Sequence, residues 1–266
     1  MPVIWLDGRL LHASKARIDP ADRGLLLGDG VFETLRAEQR RPLHLDLHLA
    51  RLRHGASVLG IDPGWDDDAI AGGIHGVLAA APQDNAALRI TLTRGSAPRG
   101  VLPPPGTRAT LLIAAAALPE PKAPAHAIVA ACTRRNEHSP LSRIKSLNYG
   151  DSILARQEAA ARGADEAILL NTAGYVAEAS AGNLFVRLEG VWLTPPVADG
   201  ALPGIARALA LQAGLAGECR LALPHLLTAS SAAVSSSLGW RMLASIDGRA
   251  LAVVSGHLGI PAGLKS

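Results

Sequence analysis

Lys145, Glu178 and Arg51 are the side chains of this sequence best suited to work on an amine or a carbonyl. Lys145 is one of four lysines; Lys15 lies near the start, Lys122 in a Pro/Ala-rich segment and Lys265 next to the last residue. Lys145 instead precedes a helical pattern, in RIKSLNYGDSILARQEAA. Ile153, Leu154, Gln157, Ala160 and Ala161 recur there at helical spacing, and Asn148 or Asp151 is placed to cap the helix. A lysine so held reaches into a cleft while its backbone stays fixed. Its amine can form a Schiff base with a carbonyl substrate or with pyridoxal phosphate. The plainer alternative is a solvent-facing lysine at a helix start.

Glu178 lies in YVAEASAGNLFV, on the same side of the strand pattern as Val176. A carboxylate in an apolar strand is costly without a partner. It either pairs with an arginine or serves as the acidic partner of a ring nitrogen. Three places offer an anion site. In LPGIARA, Gly204 and Ile205 open a helix whose free N–H groups favour a phosphate. Arg51 adds a charged fork, unless it is a plain surface arginine. Ser230 and Ser231 lie in a run of small hydroxyl residues that also reads as a polar loop. Asn183 reads first as a turn residue after Gly182. No glycine-rich nucleotide fingerprint follows the first strand, no histidine pair has zinc-site spacing, and no GxSxG elbow surrounds Ser230. No metal is expected.

The elements that position these residues follow from pattern. Val3 to Leu6 and Arg9 to His12 flank Asp7-Gly8, a hairpin signal. VFETLRA reads as a strand with Val31, Glu33 and Leu35 on one side and Phe32, Thr34 and Arg36 on the other. Helices are expected over Leu45 to Leu59 and Asp66 to Ala80, and strands over Ala87 to Arg94 and Thr110 to Ala116. Residues 117–126, ALPEPKAPAH, break the periodicity and read as a linker. They divide a small α/β domain, 1–116, from a larger domain, 127–266. The second half predicts strands over Ile128 to Thr133, Glu166 to Asn171, Tyr175 to Ala179, Asn183 to Arg187 and Trp192 to Thr194. A further strand region starts at Leu226 and Leu227, and a hairpin spans Trp240 to Leu258 around Asp247-Gly248. The class is α/β (α+β), with a curved mixed sheet in the larger domain.

Composition narrows the function. A chain of 266 residues, 48% hydrophobic, holds one large or two modest cores. The net charge of +3 has no long basic run behind it, so no nucleic acid partner is expected. Two cysteines, Cys132 and Cys219, make neither a disulfide framework nor a metal cluster. MPVIWLDGRL has no signal-peptide pattern, and TLLIAAAALPE is too short to span a bilayer. No membrane partner and a cytoplasmic location are the expectations.

Taken together, GDGVFETLR (28–36), SRIKSLNYGDSILARQEA (142–159), ADEAILLNTAGYVAEASAGNLFV (164–186) and LPGIAR (202–207) resemble the fold-type IV pyridoxal-phosphate enzymes over nearly the whole chain. That family includes branched-chain and D-amino acid aminotransferases and 4-amino-4-deoxychorismate lyases. The resemblance implies a two-domain fold, a homodimer, and pyridoxal 5'-phosphate as cofactor. It implies Lys145 as the Schiff-base lysine and base, and Glu178 on the pyridine nitrogen. The cofactor phosphate then falls to Arg51, the amides of Ile205 and Ala206, and Ser230. Family members often have threonine where this chain has Ala206. Tyr149 resembles a tyrosine that touches the cofactor's phenolic oxygen in some members. Phe32 stands where D-amino acid enzymes carry tyrosine. Arg99 matches a substrate-carboxylate arginine, but Val101 replaces the histidine that accompanies it in those enzymes. Arg36 or Arg94 would supply a second basic group. The motifs look most like a 4-amino-4-deoxychorismate lyase, which releases pyruvate and forms 4-aminobenzoate. The alternative is a transaminase acting on D-amino or branched-chain amino acids with a keto-acid acceptor. In either case the partner is a small amino or keto acid.

Overall fold

Asp7 and Gly8 both adopt positive φ, 47° and 90°, and turn the chain so that Leu6 pairs with Arg9. A computed structural model describes residues 2–254. Two compact units emerge, one running to Pro119 and including Ile144–Asn148, the other holding Glu120–Arg143 and the chain from Tyr149 onward.

In the first unit the elements are β1 (Val3–Leu6), β2 (Arg9–His12), α1 (Arg23–Leu27), β3 (Gly30–Glu38), β4 (Arg41–Pro42), α2 (Leu45–Leu59), α3 (Asp67–Ala80), β5 (Ala86–Thr93) and β6 (Thr110–Ala117). They build an antiparallel sheet in the order β2-β1-β6-β5-β3-β4. Both helices start and stop near where the pattern places them. Asp66 caps α3 by accepting from the Ala69 N–H at 2.8 Å, and Ile70, Ile74, Val77 and Leu78 are buried. Each such side chain contributes roughly 1.5–3 kcal/mol. Gly60, in the left-handed region at φ 64°, ends α2.

Ile144–Asn148 runs along β3. The Phe32 N–H donates to the Lys145 carbonyl and the Leu147 N–H to the Gly30 carbonyl, each at 2.9 Å. Gly30 allows this close approach, because a Cβ there would lie 2.4 Å from the Leu92 carbonyl oxygen and 2.8 Å from Leu147 Cδ1.

The second unit contains β7 (Ala125–Val129), α4 (Gly150–Ala161), β8 (Glu166–Leu170), β9 (Val176–Ala179), β10 (Asn183–Leu188), β11 (Val191–Thr194), α5 (Ile205–Gln212), β12 (Gly217–Glu218), α6 (Leu223–Thr228), β13 (Ser231–Ser236), β14 (Gly239–Ile246) and β15 (Arg249–Ala250). Its mixed sheet runs β12-β11-β10-β13-β14-β7-β8-β9, with β15 on β14. One core gathers Ile168, Val176, Leu184, Leu226 and Leu243. Another packs Ala155 and Ala159 of α4 against Ile128, Ala167 and Leu169.

Four expectations need correction here. The strand expected at Ile128 to Thr133 starts and ends earlier, because the Ala131 and Cys132 N–H groups donate to the Glu158 carboxylate instead of a ladder. The face of α4 is not the one the pattern suggests: Ile153 and Leu154 are exposed, and the alanines let the helix lie close to the sheet. Neither Asn148 nor Asp151 caps α4; Asn148 donates to the Gly28 carbonyl and Asp151 accepts from Thr133 Oγ1. Leu226 and Leu227 are helical, since Pro224 opens α6 and the His225 ring accepts the Ala222 N–H at 2.8 Å. The Asp247-Gly248 turn is present, with positive φ at both residues; the end of that hairpin, 255–258, lies outside the described residues.

Candidate active site

Within the first unit, alternation along β3 sends Phe32 and Glu33 to opposite faces. Lys145 Nζ lies 4.5 Å from the centre of the Phe32 ring, and the Arg89 guanidinium lies 3.9 Å from it. Lys145 is half-buried, and its backbone is tied to β3 through Phe32. The solvent-facing alternative for Lys145 therefore does not describe it.

Glu33 is fully buried and meets two residues of α2. Arg51 donates from Nε and Nη2 to the two carboxylate oxygens, each at 2.7 Å, and His48 Nδ1 lies 2.6 Å from Oε2. Spacing of i and i+3 puts His48 and Arg51 on one face of the helix. Burial opposes the charge on Glu33, but the Arg51 and His48 hydrogen bonds outweigh it and hold the carboxyl below its ordinary range. Burial pushes the His48 imidazole down, against the pull of Glu33. Arg51 is one-tenth exposed, so it is no ordinary surface arginine.

The arginines offered as substrate contacts fare differently. Arg99 is exposed. The loop carrying it is anchored by Arg23, which donates to the Gly100 and Val101 carbonyls at 2.7 Å each. Arg36 pairs with Glu38 at 2.9 Å. Arg94 is buried against Asp29 and donates to the Leu59 and Gly60 carbonyls at the end of α2. It holds a helix terminus and is not placed to bind substrate. Burial raises the Asp29 carboxyl, but Arg94 and Arg23 outweigh it and hold the group low.

Within the second unit, Glu178 on β9 is buried. Its Oε1 lies 3.0 Å from Arg135 Nε, and its Oε2 accepts the Leu202 N–H at 2.9 Å. Both readings of Glu178 thus begin from a partnered carboxylate. Helix α5 starts at Gly204 with no side chain capping it, and Ile205 is buried. A Cβ at Gly204 would fall 2.0 Å from Asn183 Oδ1, so only glycine fits there. Asn183 Nδ2 donates to the Leu202 carbonyl at 2.9 Å, which makes Asn183 a brace for this turn. Ala206 is half-buried in the first turn of α5, and Tyr149 is half-buried at the start of α4.

Ser230 is exposed. It precedes β13 and donates to the Arg187 carbonyl at 3.1 Å, whereas Asn183, at the other end of β10, pairs with Ser235. Ser235 Oγ is buried with no hydrogen-bond partner among the described residues. The sequence reading also passed over Glu33, His48 and Arg135. The alternation of β3 and the spacing on α2 carried a signal for the first two. RRNEHSP carried none for Arg135, whose partner lies 43 positions away.

The chain matches the model of the class IV aminotransferase family over residues 30–246. It is 33% identical over 208 residues to a Methanocaldococcus jannaschii protein provisionally named a branched-chain-amino-acid aminotransferase, covering 77% of this chain and 72% of that one. It is 30% identical over 209 residues to the D-alanine aminotransferase of Bacillus licheniformis, covering 79% and 74%. Among solved structures, the Escherichia coli branched-chain amino acid aminotransferase superposes with a TM-score of 0.87 at 26% identity, covering 94% of this chain and 88% of that one. A Legionella pneumophila protein provisionally named a 4-amino-4-deoxychorismate lyase gives 0.84 at 29% identity, covering 91% of each. The fold is that of the fold-type IV enzymes, a mixed α/β architecture in which sheets dominate. The protein belongs to the class IV aminotransferase family and is a pyridoxal-phosphate enzyme.

Proposed function

We propose that the protein is an aminotransferase that moves an amino group between a small amino acid and a keto acid. The relatives named as branched-chain and D-alanine aminotransferases, each matched over more than three quarters of this chain, carry the reading. The commitments of Arg94 and Arg36 support it too, since a second basic group for a dicarboxylate lyase substrate was expected from one of them.

The residues present fit the cofactor. The uncapped start of α5 offers N–H groups, and the buried, unpartnered Ser235 Oγ lies one strand pairing from Asn183, which braces that turn. When bound, pyridoxal phosphate supplies a ring that stabilises negative charge at the substrate carbon. In this reading Arg51, the amides of Ile205 and Ala206, and Ser235 in place of Ser230 hold its phosphate. Glu178, its charge supported by Arg135, keeps the proton on the ring nitrogen. Tyr149 contacts the phenolic oxygen, and Phe32 lines the substrate space beside Lys145. Lys145 Nζ is the base that takes the proton from the substrate carbon and returns one. Arg99 contacts the substrate carboxylate.

A homodimer belongs to the same reading. Leu25, Leu26 and Leu27 of α1 and Val101 and Leu102 of the anchored loop are exposed apolar side chains that a second copy would cover. No described helix is long and apolar enough to cross a membrane.

The test is one preparation assayed with branched-chain L-amino acids and D-alanine against 2-oxoglutarate, beside aminodeoxychorismate. Keto-acid formation from an amino acid without 4-aminobenzoate is expected. 4-Aminobenzoate as the dominant product would reinstate the lyase.

A further inference from the structure

Glu33 and His48 have no role in the chemistry described so far, yet both are almost wholly enclosed. We propose that they are positioning residues for Arg51: Glu33 fixes the plane of its guanidinium, and His48 fixes Glu33, so that Arg51 meets the cofactor phosphate in one orientation. This rests on the reading of Arg51 as a phosphate contact.

The geometry is specific. Arg51 Nε and Nη2 take one carboxylate oxygen each at 2.7 Å, a two-point fork that leaves the guanidinium no rotation about its own axis. The plane of the guanidinium, and with it the direction of its other N–H groups, is thereby set by Glu33. A single hydrogen bond to a carbonyl would not do this. The Glu33 oxygen that accepts from Nη2 is also met by His48 Nδ1 at 2.6 Å. An ionised carboxylate only accepts, so Nδ1 is the donor. Neutral His48 orients the carboxylate without adding a second cation to compete with Arg51, in keeping with its depressed pKa.

Stability alone does not account for the cluster. Replacing a buried ion pair with well-packed apolar residues is often neutral or stabilising. Here the three side chains join β3 to α2 at one point, and apolar side chains would join them as well. What apolar residues cannot supply is a cation of fixed direction.

The experiment compares binding of pyridoxal 5'-phosphate and of pyridoxal, which lacks the phosphate, to cofactor-stripped protein by absorbance titration. Circular dichroism and thermal unfolding establish that each variant is folded. Glu33→Gln and His48→Leu should lose roughly ten- to a hundredfold in affinity for the phosphorylated ligand while pyridoxal binding stays within about threefold. His48→Asn, which keeps an N–H donor, should restore most of the loss. Equal losses for both ligands, or no loss, would overturn the proposal. If Glu33→Gln does not fold, the His48 pair carries the test; if none of the variants folds, the cluster is structural and the proposal fails. Arg51→Ala separates the two claims: were it to leave the ratio of the two affinities unchanged, the phosphate reading of Arg51 would fall first.

Discussion

Each unit contains a buried arginine–glutamate pair, and the two are held in different ways. In the first unit Glu33 is fully enclosed and receives two hydrogen bonds from Arg51 and one from His48. Three contacts hold the carboxylate, and the arginine, one-tenth exposed, is the less buried partner. In the second unit the arginine is spread thinly. Arg135 Nε lies 3.0 Å from Glu178 and 3.1 Å from the Gly200 carbonyl, while Nη2 donates to the Ser142 carbonyl. In both pairs the arginine is the more exposed partner, 18% against 10% in this one. The difference lies in what holds the carboxylate: Glu33 is held by two side chains of α2, whereas Glu178 meets the Arg135 side chain and the Leu202 backbone N–H. A helix face fixes the first carboxylate and a turn helps to fix the second.

Breaking the first pair should have the largest effect. Glu33→Ala leaves Arg51 without its buried counter-charge and should cost about 3–5 kcal/mol, read from urea unfolding of the apoprotein. Breaking the second pair at its carboxylate should change chemistry more than stability. Glu178→Gln should keep the cofactor and lose on the order of 10²–10³-fold in kcat. Unchanged turnover at full occupancy would remove Glu178 from the ring nitrogen. Arg51→Ala should weaken cofactor affinity by about one to two decades, equivalent to roughly 1.5–3 kcal/mol, in a titration of stripped protein.

Acid should distinguish the pairs more gently. His48 titrates below its ordinary value of 6.5 in the folded chain. Below pH 6.5 the unfolded chain therefore binds a proton that the folded chain refuses. Stability is full above that pH and falls as pH drops toward the folded value. Glu33, held below 4.5, adds a second loss at lower pH. Urea unfolding between pH 7.5 and 5 should show a slope that His48→Asn reduces. Arg36→Ala, which opens a part-exposed pair with Glu38, should change stability by about 0–1 kcal/mol.

Much of this was legible in sequence where local pattern decides. From Glu33 onward the burial of VFETLRA alternates as its pattern does, and α2 occupies the span its leucines predict. Lys145 could be singled out because so few lysines compete with it. What failed was decided by distant partners. Glu158 ends β7 by taking two backbone N–H groups, which no pattern within the strand announces. The face of α4 was misjudged because alanine, not Ile153 or Leu154, is what a close helix–sheet contact requires. Ser230 and Ser235 are chemically equivalent in a run of small residues; only the register against Asn183 and Arg187 tells them apart. The motifs look most like a lyase, but motifs shared across a family do not fix the substrate; Arg94, one of two candidates for a second basic group, holds the end of α2.

The central claim is that Lys145 is the amine through which this enzyme holds its cofactor. Borohydride reduction of the cofactor-loaded protein, followed by trypsin and mass spectrometry, tests it directly. Reduction fixes the cofactor to its lysine, and a modified lysine resists cleavage. The label should appear on Lys145, in the peptide 144–156 that runs from the bond after Arg143 to Arg156. Label on Lys122 or Lys15, or cofactor released entirely after reduction, would contradict the account.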